Sequence, residues 1–140
     1  MNKRGFTIVE LLAVIIIIGV LSTVAVFSYN GIIEKSRCDA FKDNEKSLKA
    51  AAEDLLTHCA STFTNPDYCV NVPSFEETVR ITIDDLVAGN FINKIVDPSN
   101  VSNYCDGYVD VTNVSSGKTT LEYKVYLKCG HYEPGVCDEK

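Results

Sequence analysis

The 140-residue sequence predicts an α+β protein. A long N-terminal helix, transmembrane in its first half and amphipathic in its second, packs on a small antiparallel β-sheet stabilised by disulfides. Three observations predict this. No proline precedes Pro66, and after Gly5 the only glycines before it are Gly19 and Gly31, so little interrupts a helix over the first sixty residues. Two C-terminal segments alternate apolar and polar side chains on either side of Ser115-Ser116-Gly117-Lys118, the pattern of a hairpin. Finally, all six cysteines lie beyond the apolar N-terminal run, as expected of a disulfide-bonded extracytoplasmic region.

The helix comes first in the chain. Met1 to Gly5 form a short basic leader, Phe6 opens the apolar run, and one carboxylate, Glu10, sits near its start. No charged residue occurs from Leu11 to Ile33. At about 1.5 Å per residue this stretch spans roughly 35 Å as a helix, enough for a hydrocarbon core of about 30 Å, so residues 6–29 are expected to cross a membrane. A carboxylate inside such a segment costs on the order of 2.5–3.5 kcal/mol on insertion scales, which points to retention of Glu10 for a partner. Lys3 and Arg4 precede the run, and the positive-inside rule keeps them cytoplasmic and sends the rest of the chain outward.

Residues 30–60 continue the helix. Cys38, Phe41, Leu48, Ala52, Leu55 and Cys59 recur at intervals of three, four or seven, one stripe along a helix. Lys42, Asp43, Lys46, Lys49, Glu53 and Asp54 lie opposite, with Glu45 to Lys49 and Asp39 to Lys42 spaced for helical charge pairs. The expected product is one helix of about 50 residues, apolar all round in its first half.

Residues 61–140 form the remainder. Thr62 to Ser74, with Asn65-Pro66-Asp67 and Pro73, reads as loop. Ile81 to Asn90 reads as a short extended piece followed by one or two helical turns, capped by Asp84 or Thr82 and closed by Gly89 or Asn90. Asp97-Pro98-Ser99-Asn100 reads as a turn. Gly107–Val114 and Thr119–Cys129 supply the hairpin, and Gly130–Lys140 is an irregular tail held by a disulfide. The tyrosines at 104, 108, 123, 126 and 132 are expected to pack the sheet onto the helix stripe.

The formal charge of −6 becomes more negative still without Lys3 and Arg4, so nucleic acid is not an expected partner. No nucleophile, base and orienting acid can be assembled into a catalytic set, and no glycine-rich phosphate loop is present. The chain is therefore not read as an enzyme, and no cofactor is implied. His58 adjoins Cys59 and His131 follows Cys129 by two, but neither a C-x-x-C pair nor an H-x₃₋₅-H spacing occurs, which favours disulfides over metal. Asp106, Asp110 and Glu122 lack the spacing of an EF-hand loop. Asn100-Val101-Ser102 and Asn113-Val114-Ser115 match the glycosylation triplet.

Cys38 and Cys59 are 21 residues apart on the same predicted helix, roughly 32 Å, and cannot pair. Cys59 with Cys69 and Cys105 with Cys129 are favoured, leaving Cys38 with Cys137. A local Cys129 to Cys137 loop competes.

Lys3-Arg4-Gly5-Phe6-Thr7-Ile8-Val9-Glu10-Leu11-Leu12 and the apolar run after it resemble the class III signal of type IV pilins and pseudopilins. Many members carry a proline late in the membrane helix, where this sequence has Phe27 and no proline at all. The resemblance implies that residues 1–5 are a leader removed after Gly5 by prepilin peptidase, that Phe6 is then N-methylated, and that Glu10 acts in assembly. It also implies that the protein waits in the cytoplasmic membrane and joins the assembly machinery to form a homo-oligomeric helical filament at the cell surface. A pseudopilin or minor pilin of a type II secretion or DNA-uptake apparatus shares this layout, and an anchored binding module that never polymerises is the reading from a different class.

Overall fold

The computed structural model describes residues 7–62 and 66–137, apart from the side chains of residues 24–28 and 30. Helix α1 covers Ile8–Ser61, followed by strand β1 at Thr78–Thr82, helix α2 at Ile83–Ala88, and strands β2 at Val96–Asp97, β3 at Asn100–Tyr104, β4 at Asp106–Asn113 and β5 at Leu121–Lys128. The architecture is α+β with a long N-terminal helix, a small antiparallel sheet and disulfides. The chain divides into two compact units inside α1, between Ser36 and Arg37. That division groups the amphipathic end of the helix with the sheet, because the two share one core.

In the second unit α1 contributes Phe41, Leu48, Ala51, Ala52, Leu55 and Leu56 to the buried core, all 5 % exposed or less. The heptad-like stripe underlies this face, with Ala51 and Leu56 widening it. The polar face carries Asp43–Lys46 at 3.0 Å and Lys49–Glu53 at 3.8 Å. These are exposed i, i+3 and i, i+4 pairs that stabilise the helix by tenths of a kcal/mol.

Strand β4 is central in a three-stranded antiparallel sheet of order β1-β4-β5. Its burial alternates strictly, with Gly107, Val109, Val111 and Asn113 inward. Gly107 is required by close approach, since a Cβ there would lie 2.5 Å from the Tyr126 carbonyl oxygen. Opposite that face, Arg80 donates to both carboxylate oxygens of Asp110 at 2.7 and 2.9 Å. Its guanidinium lies 3.7 Å from the centroid of Tyr108, which stacks on Tyr126 at 5.1 Å.

The tyrosines therefore divide, correcting the expectation that all five pack sheet against helix. Tyr132 is fully buried and sits 6.0 Å from Phe41, and Tyr123 is partly buried against the core. Tyr108 and Tyr126 belong to the outer face, because strand parity places them with Asp110 and Lys124. Tyr104 is exposed.

The turn predicted at 97–100 is flanked by two strands that the sequence reading does not contain. The segment at Asp97 is the tip of a second antiparallel pair, β2–β3. This pair leaves no signal in the sequence, because β2 has two residues and every residue of β3 is exposed, so no burial alternation marks it. Helix α2 is capped by Thr82 through a capping box with Asp85. Asn90, at φ 59°, adopts the left-handed conformation just after it.

Among the described residues no helix is long and apolar enough to cross a membrane. The span expected over residues 6–29 includes Phe6, which lies outside the described residues, as does the cleavage site after Gly5.

Candidate functional site

The described part of the candidate site begins at Thr7. The N–H of Glu10 donates to the Thr7 carbonyl at 3.1 Å and to its hydroxyl at 3.3 Å, and the N–H of Leu11 donates to the same carbonyl at 3.2 Å. Thr7 thus satisfies free amides at the start of α1. Thr7-Ile8-Val9-Glu10 has the spacing of a capping box ahead of an apolar run. Glu10 lies in the first turn, where the helix dipole favours a negative charge, and its side chain is exposed.

Around Glu10 the described side chains form an apolar surface. Ile8, Val9, Leu11, Ile15, Ile16, Val20 and Leu21 are each at least 56 % exposed. An exposed apolar surface of this extent marks a lipid or protein contact. A Cβ on Gly19 would meet nothing within 4 Å, so no packing within the chain requires glycine there. The Ser22 hydroxyl donates to the Ile18 carbonyl and that of Thr23 to the Val20 carbonyl, both at 2.7 Å. The polar groups next to Gly19 are therefore satisfied inside the helix, leaving a shallow surface suited to a close neighbour.

Residues 1–26 match the family model described as the prokaryotic N-terminal methylation motif. The chain has a prepilin-type N-terminus. No curated protein and no solved structure matches it, so the prepilin-type assignment rests on this segment. The motif places Glu10 and the apolar run within the matched residues. The structure places Glu10 on the first turn of a helix that continues without a break through Ser61, including position 27.

The six cysteines form Cys38–Cys137, Cys59–Cys69 and Cys105–Cys129, and no Cys129–Cys137 loop exists. The first bridge ties the C-terminal tail to α1, the second ties the end of α1 to the loop after it, and the third joins the start of β4 to the end of β5. The remaining candidates serve the fold. Hydrogen bonds from Arg80 hold the Asp110 carboxyl below the usual carboxylate range. Asp106 accepts from the N–H of Gly107 at 2.8 Å. Asn113 is buried and its amide donates to the Pro73 carbonyl at 3.1 Å. His58 sits edge-on to Phe91 at 5.6 Å and His131 lies 4.0 Å from Tyr132.

Asp97, which the sequence offered only as a turn residue, is 2 % exposed. Its carboxylate accepts from the Ser99 hydroxyl at 2.6 Å and the Ser99 N–H at 2.7 Å. These bonds hold it below the ordinary carboxylate value despite burial. An Asp-Pro-Ser turn is the local signal for this side-chain-to-backbone capture. An open, mostly apolar groove of about 340 Å³ lies between the end of α1 and the sheet, lined by Leu56, Thr57, Val72, Thr119, Leu121 and Tyr123 among others.

Proposed function

We propose that this protein is a pilin, a structural subunit that polymerises into a type IV pilus-like surface filament after prepilin peptidase removes residues 1–5. The observation that carries the reading is the methylation motif over residues 1–26 on a helix whose apolar side chains and single early carboxylate face outward. In this reading the segment 6–29 first holds the subunit in the cytoplasmic membrane and then bundles with its copies in the filament core. The chain is a substrate of the peptidase and methyltransferase, with no chemistry or cofactor of its own.

The chemistry of assembly follows from charge. Cleavage after Gly5 creates an α-amine on Phe6 at nearly the depth of Glu10. Each charge alone is costly in lipid, and pairing the carboxylate of one subunit with the amine of a neighbour offsets most of that cost. Axial register is then set by the pair, while cohesion comes from the apolar side chains. Before assembly, Phe6 and Glu10 are four residues apart and shelter each other within one helix.

Two measurements test the reading. The mass and N-terminal residue of the protein isolated from cells should give a chain beginning at methylated Phe6, and a retained Met1 leader with no sheared filaments would overturn it in favour of an anchored module. Glu10→Leu should leave that mature N-terminus intact and lower filament yield by about tenfold or more, since 1.4 kcal/mol is a factor of ten. Undiminished yield would remove the charge pair from the account.

A further inference from the structure

The triplets Asn100-Val101-Ser102 and Asn113-Val114-Ser115 have no part in the assembly chemistry, and the structure separates them. Their local geometry is the same. Asn100 Oδ1 accepts from the Ser102 N–H at 3.1 Å, and Asn113 Oδ1 accepts from the Ser115 N–H at 3.3 Å. Each is the turn in which an asparagine side chain captures the backbone two residues on. It uses the side-chain oxygen and not the amide nitrogen, which is the atom that a sugar joins.

The surroundings of that nitrogen differ. Asn113 is 7 % exposed, its Nδ2 donates to the Pro73 carbonyl at 3.1 Å, and its Oδ1 also accepts from the Thr120 N–H at 3.4 Å. A sugar on that nitrogen would have to displace the Pro73 carbonyl from a buried hydrogen bond. Asn100 instead opens β3, whose five residues are all exposed, and Val101 at the centre of the triplet is 83 % exposed, so nothing in the chain obstructs an approaching enzyme. Among the described residues no hydrogen bond occupies Asn100 Nδ2. Its backbone N–H donates to the buried Asp97 carboxylate, beside the two bonds from Ser99. The turn is therefore anchored on its inner side, and the triplet is presented on its outer side.

We propose that Asn100 is an N-glycosylation site, modified outside the cytoplasmic membrane by a glycan carried on a lipid phosphate. Asn-X-Ser is the acceptor pattern for this modification on the surface of exported proteins. The compartment comes from the orientation in the pilin reading above, on which the inference rests. In the transfer a bond forms between Nδ2 and the anomeric carbon of the first sugar. The bond from that carbon to the donor's phosphate oxygen breaks, the lipid phosphate leaves with the electron pair, and one amide proton is lost. No oxidant or reductant takes part. The amide lone pair is delocalised into its carbonyl, so the step needs an enzyme that grips the acceptor, and Asn100 and Ser102 offer an amide and a hydroxyl on one exposed turn.

The test is intact-mass and peptide-map mass spectrometry of the full-length protein isolated from its native cells. Beyond the methylated chain that starts at Phe6, it should show an added mass equal to whole sugar residues, located on the peptide that carries Asn100. Asn100→Gln and Ser102→Ala should each abolish that mass, and Ser102→Thr should retain it. Ser115→Ala, which breaks the other triplet while leaving Asn113 in place, should leave it unchanged. An unmodified Asn100 in chains that start at methylated Phe6, a sugar mass that survives Asn100→Gln, or one located on Asn113 would each overturn the site and leave the pilin reading standing. A retained leader with no filaments would remove the pilin reading instead, and a glycan on Asn100 of such chains would still support the site.

Discussion

At the scale of single residues, Asp97 makes a close polar arrangement with Ser99. It is buried and its charge is held by Ser99 and the Asn100 backbone. A carboxylate whose folded pKa is depressed contributes stability that is present above its unfolded value of about 3.9 and is lost as pH falls through the lower folded value. Asp97→Asn should therefore destabilise the protein by about 1–3 kcal/mol at neutral pH and flatten the acid limb of its stability profile, read by chemical denaturation in detergent at neutral pH and below pH 4. Asp110 adds to the same limb with the same sign, through Arg80. Gly130 is tied to this site. At φ 59° and with a Cβ clash against Asp97, Gly130→Ala should cost about 1–3 kcal/mol. A thermal melt unchanged by that substitution would contradict the contact.

At the scale of elements, α2 has six residues, too few to hold itself. Two features hold it: Ile83 and Leu86 are buried, and the Thr82–Asp85 box satisfies its start through bonds of 2.6–3.3 Å. Thr82→Ala should cost about 1 kcal/mol, lowering the melting temperature by about 4–8 °C for a domain of this size, and Thr82→Ser should restore most of it.

Elements also differ in how far the sequence exposes them. Helix α1 and the β4–β5 hairpin are legible because their apolar positions repeat with the period of the structure they form. Strands β2 and β3 are not, because neither face of β3 is buried and no pattern marks it. Tyr132 packs against Phe41 on the helix stripe as expected, but no periodicity in its tail distinguishes it from Tyr104, which is exposed. The candidate site divides likewise. Gly5, Phe6 and Glu10 stand in a linear motif, whereas the groove is assembled from positions 56, 72 and 121.

At the scale of the whole molecule, the three bridges close loops of very different size, with sequence separations of 99, 24 and 10. In the chain-entropy model the stabilisation rises with loop length, to about 4.7 kcal/mol for the longest and about 2.7 kcal/mol for the shortest. Replacing both cysteines of a pair by serine should thus cost most for Cys38–Cys137 and least for Cys59–Cys69, as ranked by urea unfolding of the full chain. The reverse order would mean that local strain or residual structure outweighs loop closure.

The sequence by itself determined the prepilin-type N-terminus, the long helix and the hairpin, because each depends on residues close together in the chain: an N-terminal methylation motif, a 3.6-residue stripe, a two-residue alternation. Only the tertiary structure decided that β1 flanks β4, that the hairpin tyrosines divide between two faces, and that Asp97 is buried against Gly130. Those outcomes depend on which distant surfaces exclude water from one another, and such pairings leave no local periodicity to read.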